Sequence, residues 1–285
     1  MSPATVAQAL NEAYALGLDH LDAQLLLLHA MGRADHERAW LRAYDDARLS
    51  AAQYQSFQAL CSRRAAQEPL AYITGFKEFF GLRFAVNSHV LVPRPDTETL
   101  VEWAIARLGV AAAAPAAKDA KLSALELGTG SGAVALAVKH RCPQVSMTAT
   151  DISDAALGVA RSNAQALGLA PAWLRGSWFE PVAGRFDLIV SNPPYIAQAD
   201  PHLAALKHEP PCALVSGSDG LDALRHIAAH APAHLVPGGW LLLEHGHTQA
   251  PAVRQLLSQA GFTQVQSRRD LADIERCSGG CFEKG

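Results

Sequence analysis

Leu125-Glu126-Leu127-Gly128-Thr129-Gly130-Ser131-Gly132 reads as an apolar strand running into a glycine-rich turn that opens a helix. Glycine reaches positive φ without steric cost and lets a ligand approach the backbone, so this turn is a candidate cradle. Alternation surrounds it. Leu122 to Leu127, Val145 to Thr150, Ala172 to Leu174, Phe186 to Val190 and Trp240 to Leu243 are strand candidates, separated by helical patterns near 132–140, 153–167, 219–235 and 248–260. That order predicts an α/β fold with an open, mostly parallel sheet. Ligands of such sheets bind beyond the carboxyl ends of the strands, where both Gly128 and Asn192 fall. Phe262 to Arg268 and Glu275 to Phe282 are expected to add two further strands, one of them antiparallel.

The residues before this alternation read differently. Leu21, Leu25 and Leu28 recur at helical spacing after a capping Asp19, and Gly32 is a natural stop. Ser50 and Gln53 have the spacing of a capping box, followed by a stripe of Tyr54, Phe57 and Cys61 ending near Arg63-Arg64. From Leu70 to Val92 the aromatic and β-branched residues, broken by Gly75 and Gly81, suggest short strands or a hairpin. The expected organisation is therefore a helical domain over 1–69, a hairpin linker over 70–92 and an α/β domain over 93–285. After Pro93-Arg94-Pro95, Asp96 is placed to cap a helix through Leu108, and the run from Val110 to Ala117 reads as a surface connection.

Composition narrows the function classes. With 285 residues and 49% hydrophobic content the chain can build a sizeable core. Met1-Ser2-Pro3-Ala4 opens no basic and apolar leader, and no apolar run approaches the ~18 residues of a membrane span, so a soluble, cytoplasmic protein is expected. The five cysteines (Cys61, Cys142, Cys212, Cys277, Cys281) are scattered and read as free thiols. His245-Gly246-His247 reads as local packing, and no metal site is expected. A formal net charge of −3 and the lack of a basic patch argue against broad nucleic-acid affinity and favour protein or small-molecule substrates.

Asn192-Pro193-Pro194-Tyr195 follows the strand candidate Phe186 to Val190. Two prolines end a strand, but they also stiffen Asn192 and Pro193. The Asn192 side-chain oxygen and the Pro193 carbonyl could each accept a hydrogen from a planar NH2 group, with Tyr195 over its flat face. The glycine loop alone is ambiguous. Gly128, Gly130 and Ala133 also fit the dinucleotide fingerprint, and Asp151 stands where a carboxylate would hold ribose hydroxyls, so NAD and S-adenosylmethionine both remain possible. Asp151 could instead help to cap the helix starting near Ser153. Trp178 could stack on an adenine ring or pack in the core. A rigid pair of acceptors facing the cofactor suits a methyltransferase and has no use in a dehydrogenase.

With Gly128-Thr129-Gly130-Ser131-Gly132, Asp151 and Asn192-Pro193-Pro194-Tyr195 in this order, the chain resembles an S-adenosylmethionine-dependent amino-group methyltransferase. Glu68-Pro69-Leu70-Ala71-Tyr72-Ile73-Thr74-Gly75, Val92-Pro93-Arg94-Pro95-Asp96-Thr97-Glu98 and Glu244-His245-Gly246 resemble the peptide chain release factor glutamine N5-methyltransferase family, also called HemK or PrmC. The resemblance spans nearly the whole chain. It implies a seven-stranded, Rossmann-like class I methyltransferase domain, a small helical N-terminal domain that helps to recognise the substrate, and a β-hairpin linker. It further implies S-adenosylmethionine as cofactor and class 1 release factors as partners, the acceptor being the glutamine of their Gly-Gly-Gln motif, with neither direct sequence-specific nucleic-acid binding nor membrane association. A monomer is expected.

Carried over by motif, Gly128, Thr129, Gly130, Ser131, Gly132, Asp151, Trp178 and Asn192 would contact the cofactor. Asn192, Pro193, Pro194 and Tyr195 would hold the glutamine, with Asn192, Pro193 and Tyr195 in the catalytic role. Glu126 stands where many relatives carry aspartate, and Thr97-Glu98 would brace the loop from behind, Glu98 also suiting the start of a helix dipole. Cys277-Ser278-Gly279-Gly280-Cys281 departs from the family pattern and has no assigned role. Three readings compete: a DNA or RNA adenine N6-methyltransferase using the same clamp on a flipped base, a non-catalytic module docking on translation factors, and a dehydrogenase.

Overall fold

The computed structural model describes residues 4–113 and 121–283 of the chain. They form two compact units, Met1–Phe76 and Lys77–Gly285. The first is built from α1 (Val6–Ala15), α2 (His20–Ala30), α3 (Arg38–Ala43), α4 (Ala51–Ala65) and α5 (Leu70–Thr74). Asp19 caps α2 through the Leu21 N–H at 2.8 Å. The capping box of α4 closes in both directions, Gln53 N–H to Ser50 Oγ at 3.2 Å and Ser50 N–H to Gln53 Oε1 at 3.0 Å. The α2 stripe is phased differently from the expectation: Leu26, Leu27 and Leu28 are fully buried, while Leu21 is 45% exposed. Four consecutive leucines carry no periodicity, so neighbouring helices choose the buried face. Phe57, Leu41, Cys61 and Ile73 complete this core.

Part of the stretch expected to be linker is helical, since α5 ends at Gly75 in the left-handed region (φ 83°). The hairpin β1 (Phe76–Phe79) and β2 (Leu82–Ala85) follows. Asp96 does not cap the next helix. It lies in a 3₁₀ turn, Pro95–Thr97, and pairs with Arg276 at 3.2 Å, while α6 starts at Glu98 and runs to Ala113. Val110 to Ala113, expected as connection, is thus the end of α6, and 114–117 lie outside the described residues.

The sheet comprises β3 (Ser123–Leu127), β4 (Ser146–Asp151), β5 (Ala172–Arg175), β6 (Phe186–Ser191), β7 (Leu235–Glu244), β8 (Thr263–Arg269) and β9 (Glu275–Phe282). Their order is β5-β4-β3-β6-β7-β9-β8, parallel except for the two pairings made by β9, as expected of the chain's tail. Helices α7 (Ala133–Arg141), α8 (Asp154–Leu167), α9 (Asp222–His230) and α10 (Ala250–Gln259) connect the strands. Both faces are covered, so successive strand residues enter opposite cores. Ala124, Leu188, Val190 and Leu242 join the layer of α6 and α7, whereas Leu125, Leu127, Ile189 and Leu243 join the layer of α9 and α10. By the same period of two, Glu126 and Glu244 face the α6 layer. Among the described residues no helix is long and apolar enough to cross a membrane.

Gly279 explains part of the unusual tail. A Cβ there would stand 2.6 Å from the Leu241 carbonyl oxygen, 2.6 Å from Leu242 Cδ2 and 3.0 Å from Trp103 Cη2, so a side chain has no room between β7 and α6. Gly279→Ala is expected to lower stability by about 1–3 kcal/mol through overpacking. Gly158→Ala, in the exposed interior of α8 with nothing within 4 Å, should raise it by about 0.5–1 kcal/mol. Denaturant midpoints of the two variants would check both signs.

Candidate functional site

Strand register assembles the site. Leu127 lies opposite Thr150 on one side and Ser191 on the other, and Ser191 lies opposite Leu243. The next residues, Gly128, Asp151, Asn192 and Glu244, therefore share one edge of the sheet. A cavity of about 400 Å³ opens there, with Gly128, Thr129, Gly130, Ser131, Asp151, Trp178, Asn192 and Pro194 in its wall. Gly132, Pro193 and Tyr195 are not in that wall. Gly132 (φ 82°) packs instead, since a Cβ would lie 3.1 Å from Leu136 Cδ1 and 3.2 Å from Ala160 Cβ, so it lets α7 and α8 approach. Pro193 is buried, and the Tyr195 ring packs partly against the α9 and α10 layer.

The glycine loop is held from three directions. The Thr129 N–H donates to the Thr150 carbonyl at 2.9 Å and the Gly132 N–H to the Thr129 carbonyl at 2.8 Å. Asp151 accepts the Gly130 N–H at 2.8 Å on Oδ2 and the Ser153 N–H at 2.9 Å on Oδ1. The helix cap itself is the Ser153 hydroxyl, which accepts the Ala156 N–H at 3.2 Å, so Asp151 steadies both loop and helix start while still facing the cavity. Burial raises the Asp151 pKa, against the lowering effect of those N–H donors. Glu126, 2% exposed, accepts the Thr129 hydroxyl and, at 3.0 Å, the Ala135 N–H near the start of α7. Burial pushes its pKa up to about 8 despite both bonds. Trp178 sits in the turn after β5 at φ 47°, lining the cavity and packing against the core of the α9 and α10 layer.

Asn192 is anchored at its nitrogen. Its Nδ2 donates to Thr97 Oγ1 at 3.2 Å, which leaves Oδ1 free to accept. Thr97 thus braces the loop as expected, whereas Glu98 does something else: its Oε1 accepts the Phe80 N–H at 2.9 Å, fastening the β1–β2 turn to α6. The Tyr195 carbonyl accepts the Gln249 side chain at 3.0 Å, and the Ile196 N–H donates to Leu214 at 2.9 Å. The Tyr195 hydroxyl donates to Glu244 Oε1 at 3.4 Å. Burial, then Glu244, raises the tyrosine pKa, and burial lifts Glu244, 1% exposed, to about 7.

Several supporting residues have no motif to announce them. Asn163, on α8, is buried and bonds Ala85 and the Ser131 carbonyl, tying the hairpin to the loop. Buried Glu209 pairs with Arg94 and accepts the Val92 N–H at 3.1 Å, joining two segments that both line the cavity. His245 Nε2 bonds Ser278 Oγ at 2.8 Å, in line with the packing reading. Among the described residues no cluster of three or more His, Cys, Asp or Glu could hold a metal.

The raised Glu126 pKa has a definite sign. Unfolded glutamate titrates near ~4.3, so the folded protein retains a proton that the unfolded chain has lost. The associated stability is complete below about pH 4.5 and is lost as pH rises through about 8. Glu126→Gln keeps an acceptor but cannot ionise, so its melting temperature should gain on the wild type between about pH 4.5 and about pH 8. A difference that stays constant across that range would contradict the buried, late-titrating carboxyl.

Residues 4–75 match the family described as PrmC N-terminal domain, and residues 113–209 match the Methyltransferase small domain. The chain is 51% identical to the release factor glutamine methyltransferase of Bordetella pertussis over 268 residues, covering 93% of this chain and 95% of that protein. It is likewise 51% identical to that of Xylella fastidiosa (strain Temecula1) over 267 residues, covering 92% and 93%. Among solved structures, a methyltransferase from Pyrococcus furiosus overlays with a TM-score of 0.52 at 19% identity, covering 80% of this chain and 98% of that one, a likeness of fold.

Proposed function

The chain belongs to the release factor glutamine methyltransferase family, and from that premise we propose that it transfers a methyl group from S-adenosylmethionine to the side-chain N5 of the Gly-Gly-Gln glutamine in class 1 release factors. The observation that carries this reading is the Asn192 carboxamide, pinned by its nitrogen to Thr97 with its oxygen unengaged beside the glycine loop.

The cavity suits the cofactor. Gly128 (φ 71°) and Gly130 (φ 54°) keep the loop free of side chains where a ligand must approach, and neither position is crowded by backbone. Asp151 would take ribose hydroxyls, and Trp178 with Ile152, 63% exposed at the cavity wall, would flank the adenine. When bound, S-adenosylmethionine supplies an electrophilic methyl group on a positively charged sulfur.

The rest falls to the protein. An amide nitrogen is a poor nucleophile because its lone pair is shared with the carbonyl, the same resonance that flattens peptide bonds. In this reading Asn192 Oδ1 and the Pro193 carbonyl accept the two amide hydrogens, aim the nitrogen and favour its pyramidalisation in the transition state. Alignment of this kind recovers on the order of 7–11 kcal/mol, more than a general base worth about 10²–10⁴-fold, so no dedicated base is required. The methylated nitrogen is acidic and releases its extra proton to water. Tyr195 borders the glutamine, and the segments joined by Arg94 and Glu209 limit water around it.

Incubation of a class 1 release factor with the chain and S-adenosylmethionine, followed by peptide mass spectrometry, should show one added methyl group on the Gly-Gly-Gln glutamine. Methyl transfer to DNA adenine alone, or to nothing, would contradict the reading. Asn192→Ala should lower kcat by about 10²-fold or more while leaving the affinity for S-adenosylhomocysteine within a few-fold, because the acceptor acts mainly in the transition state. Equal losses in both would remove Asn192 from this role.

A further inference from the structure

We propose that Glu209 is a positioning residue: by holding Arg94 and Val92 it fixes the turn that carries Thr97, and Thr97 in turn holds Asn192. The inference rests on the function proposed above and adds a member to the same site.

Asn192 and Glu209 share a sequence context, since each directly precedes two prolines, Pro193-Pro194 and Pro210-Pro211. A residue before proline is confined to extended conformations and the prolines have fixed φ, so both side chains are presented from stiff backbone. Both grip the same segment. Asn192 Nδ2 donates to Thr97 Oγ1 at 3.2 Å. Glu209 accepts the Arg94 guanidinium on Oε1 and the Val92 N–H on Oε2 at 3.1 Å.

The gripped segment is stiff as well. Arg94 lies between Pro93 and Pro95 and is extended (φ −99°, ψ 144°), and the Thr97 N–H returns to the Arg94 carbonyl at 3.1 Å across the 3₁₀ turn Pro95–Thr97. Few backbone torsions are free between the two grips, so a displacement at Arg94 is passed on to Thr97. The third side closes through backbone. The Ile196 N–H donates to the Leu214 carbonyl and the Ser216 N–H to the Ile196 carbonyl, both at 2.9 Å, which ties the chain after Glu209 back to the chain after Asn192. The circuit is closed, and its members Arg94, Thr97, Asn192 and Val215 line the cavity.

Thr97 holds the Asn192 amide by one bond between neutral groups, so the place of the hydroxyl has to be fixed by something else. Misplacement of a functional group by about 1 Å costs about 10²-fold in rate. Glu209 supplies the fixture. Its side chain is only 3% exposed, a costly place for a carboxylate, yet both its oxygens meet donors, one of them charged. An apolar residue would fill the same space without joining a buried backbone N–H to a guanidinium. Were the pair there only to close the cavity wall, its loss would fall on cofactor affinity; holding Thr97, its loss falls on the methyl-transfer step.

The test measures steady-state methylation of a release factor, affinity for S-adenosylhomocysteine and, in isotope-labelled full-length protein, the Asn192 side-chain NH2 resonances, assigned by their absence in Asn192→Ala. Glu209→Gln keeps one acceptor oxygen but turns an NH2 on the other donor. It should lower kcat by about 10–100-fold, leave KM and S-adenosylhomocysteine affinity within a few-fold, and move those resonances. Arg94→Leu should lose as much kcat and Arg94→Lys less, since lysine keeps a charged donor on a long stem. Thr97→Val removes the link through which Glu209 acts, so the Glu209→Gln/Thr97→Val double variant should be no slower than the slower single one.

A kcat for Glu209→Gln within about threefold of wild type would overturn the inference, as would losses that multiply in the double variant or a fall in S-adenosylhomocysteine affinity equal to that in kcat. Should Glu209→Gln fail to fold, the Arg94 pair carries the test: a loss in the leucine variant that lysine largely restores upholds the route, and equal losses or wild-type kcat in both overturn it. If the wild-type chain methylates no glutamine, the functional reading falls and the Asn192 resonances alone decide; unmoved in Glu209→Gln, they remove Glu209 from this role.

Discussion

The parallel register of β3, β4, β6 and β7 governs everything at the site, because it sets Leu127, Thr150, Ser191 and Leu243 abreast and so delivers the residues after them to a single edge. A slip of one residue in any of these pairings would turn its strand's apolar set to the wrong layer. Burial on both faces forbids that: alternate residues of β3, β6 and β7 are locked into separate cores. Loop conformations are thereby secured by the interior rather than by the loops themselves. Ser191 adds a direct tie, its hydroxyl donating to the Leu127 carbonyl at 2.8 Å between the two strands that lead into the glycine turn and Asn192.

On that edge the polar groups are few and directed. Two carboxyls, Glu126 and Glu244, are buried on the same face of the sheet and titrate near 8 and near 7, each shifted upward first by loss of solvent. They do different work. Glu126 holds the glycine turn against the first turn of α7 and needs no charge to accept those hydrogens. Glu244, 1% exposed, accepts the Tyr195 hydroxyl on Oε1 at 3.4 Å. The loop over 192–196 is stiff because its prolines remove freedom and because Gln249, Leu214 and Thr97 hold it at three points.

The sheet was legible because its apolar runs are short, alternate with helical stretches and end in punctuating glycines and prolines; even β8 and β9 could be read from the tail. Local rules failed where a distant partner decides. Asp96 looks like a cap but is taken by Arg276, 180 positions later, and no local pattern announces such a pair. β7 begins at Leu235, before Pro237-Gly238-Gly239 interrupts the run, and the pairing with β6 shifts register there to absorb the interruption. In the site, glycines, Asp151 and the Asn-Pro-Pro-Tyr run stand out by composition. Glu209, Asn163 and Gln249 do not, since a single polar residue acquires meaning only from what the fold packs against it.

The central claim is that Asn192 presents oxygen, and the Pro193 carbonyl a second oxygen, to a carboxamide nitrogen beside the cofactor loop. A crystal structure with S-adenosylhomocysteine and a Gly-Gly-Gln peptide tests it most directly. The account predicts both oxygens within about 3 Å of the glutamine nitrogen, with Asn192 Nδ2 still on Thr97. A glutamine bound elsewhere, or Asn192 turned so that its NH2 meets the substrate, would contradict it.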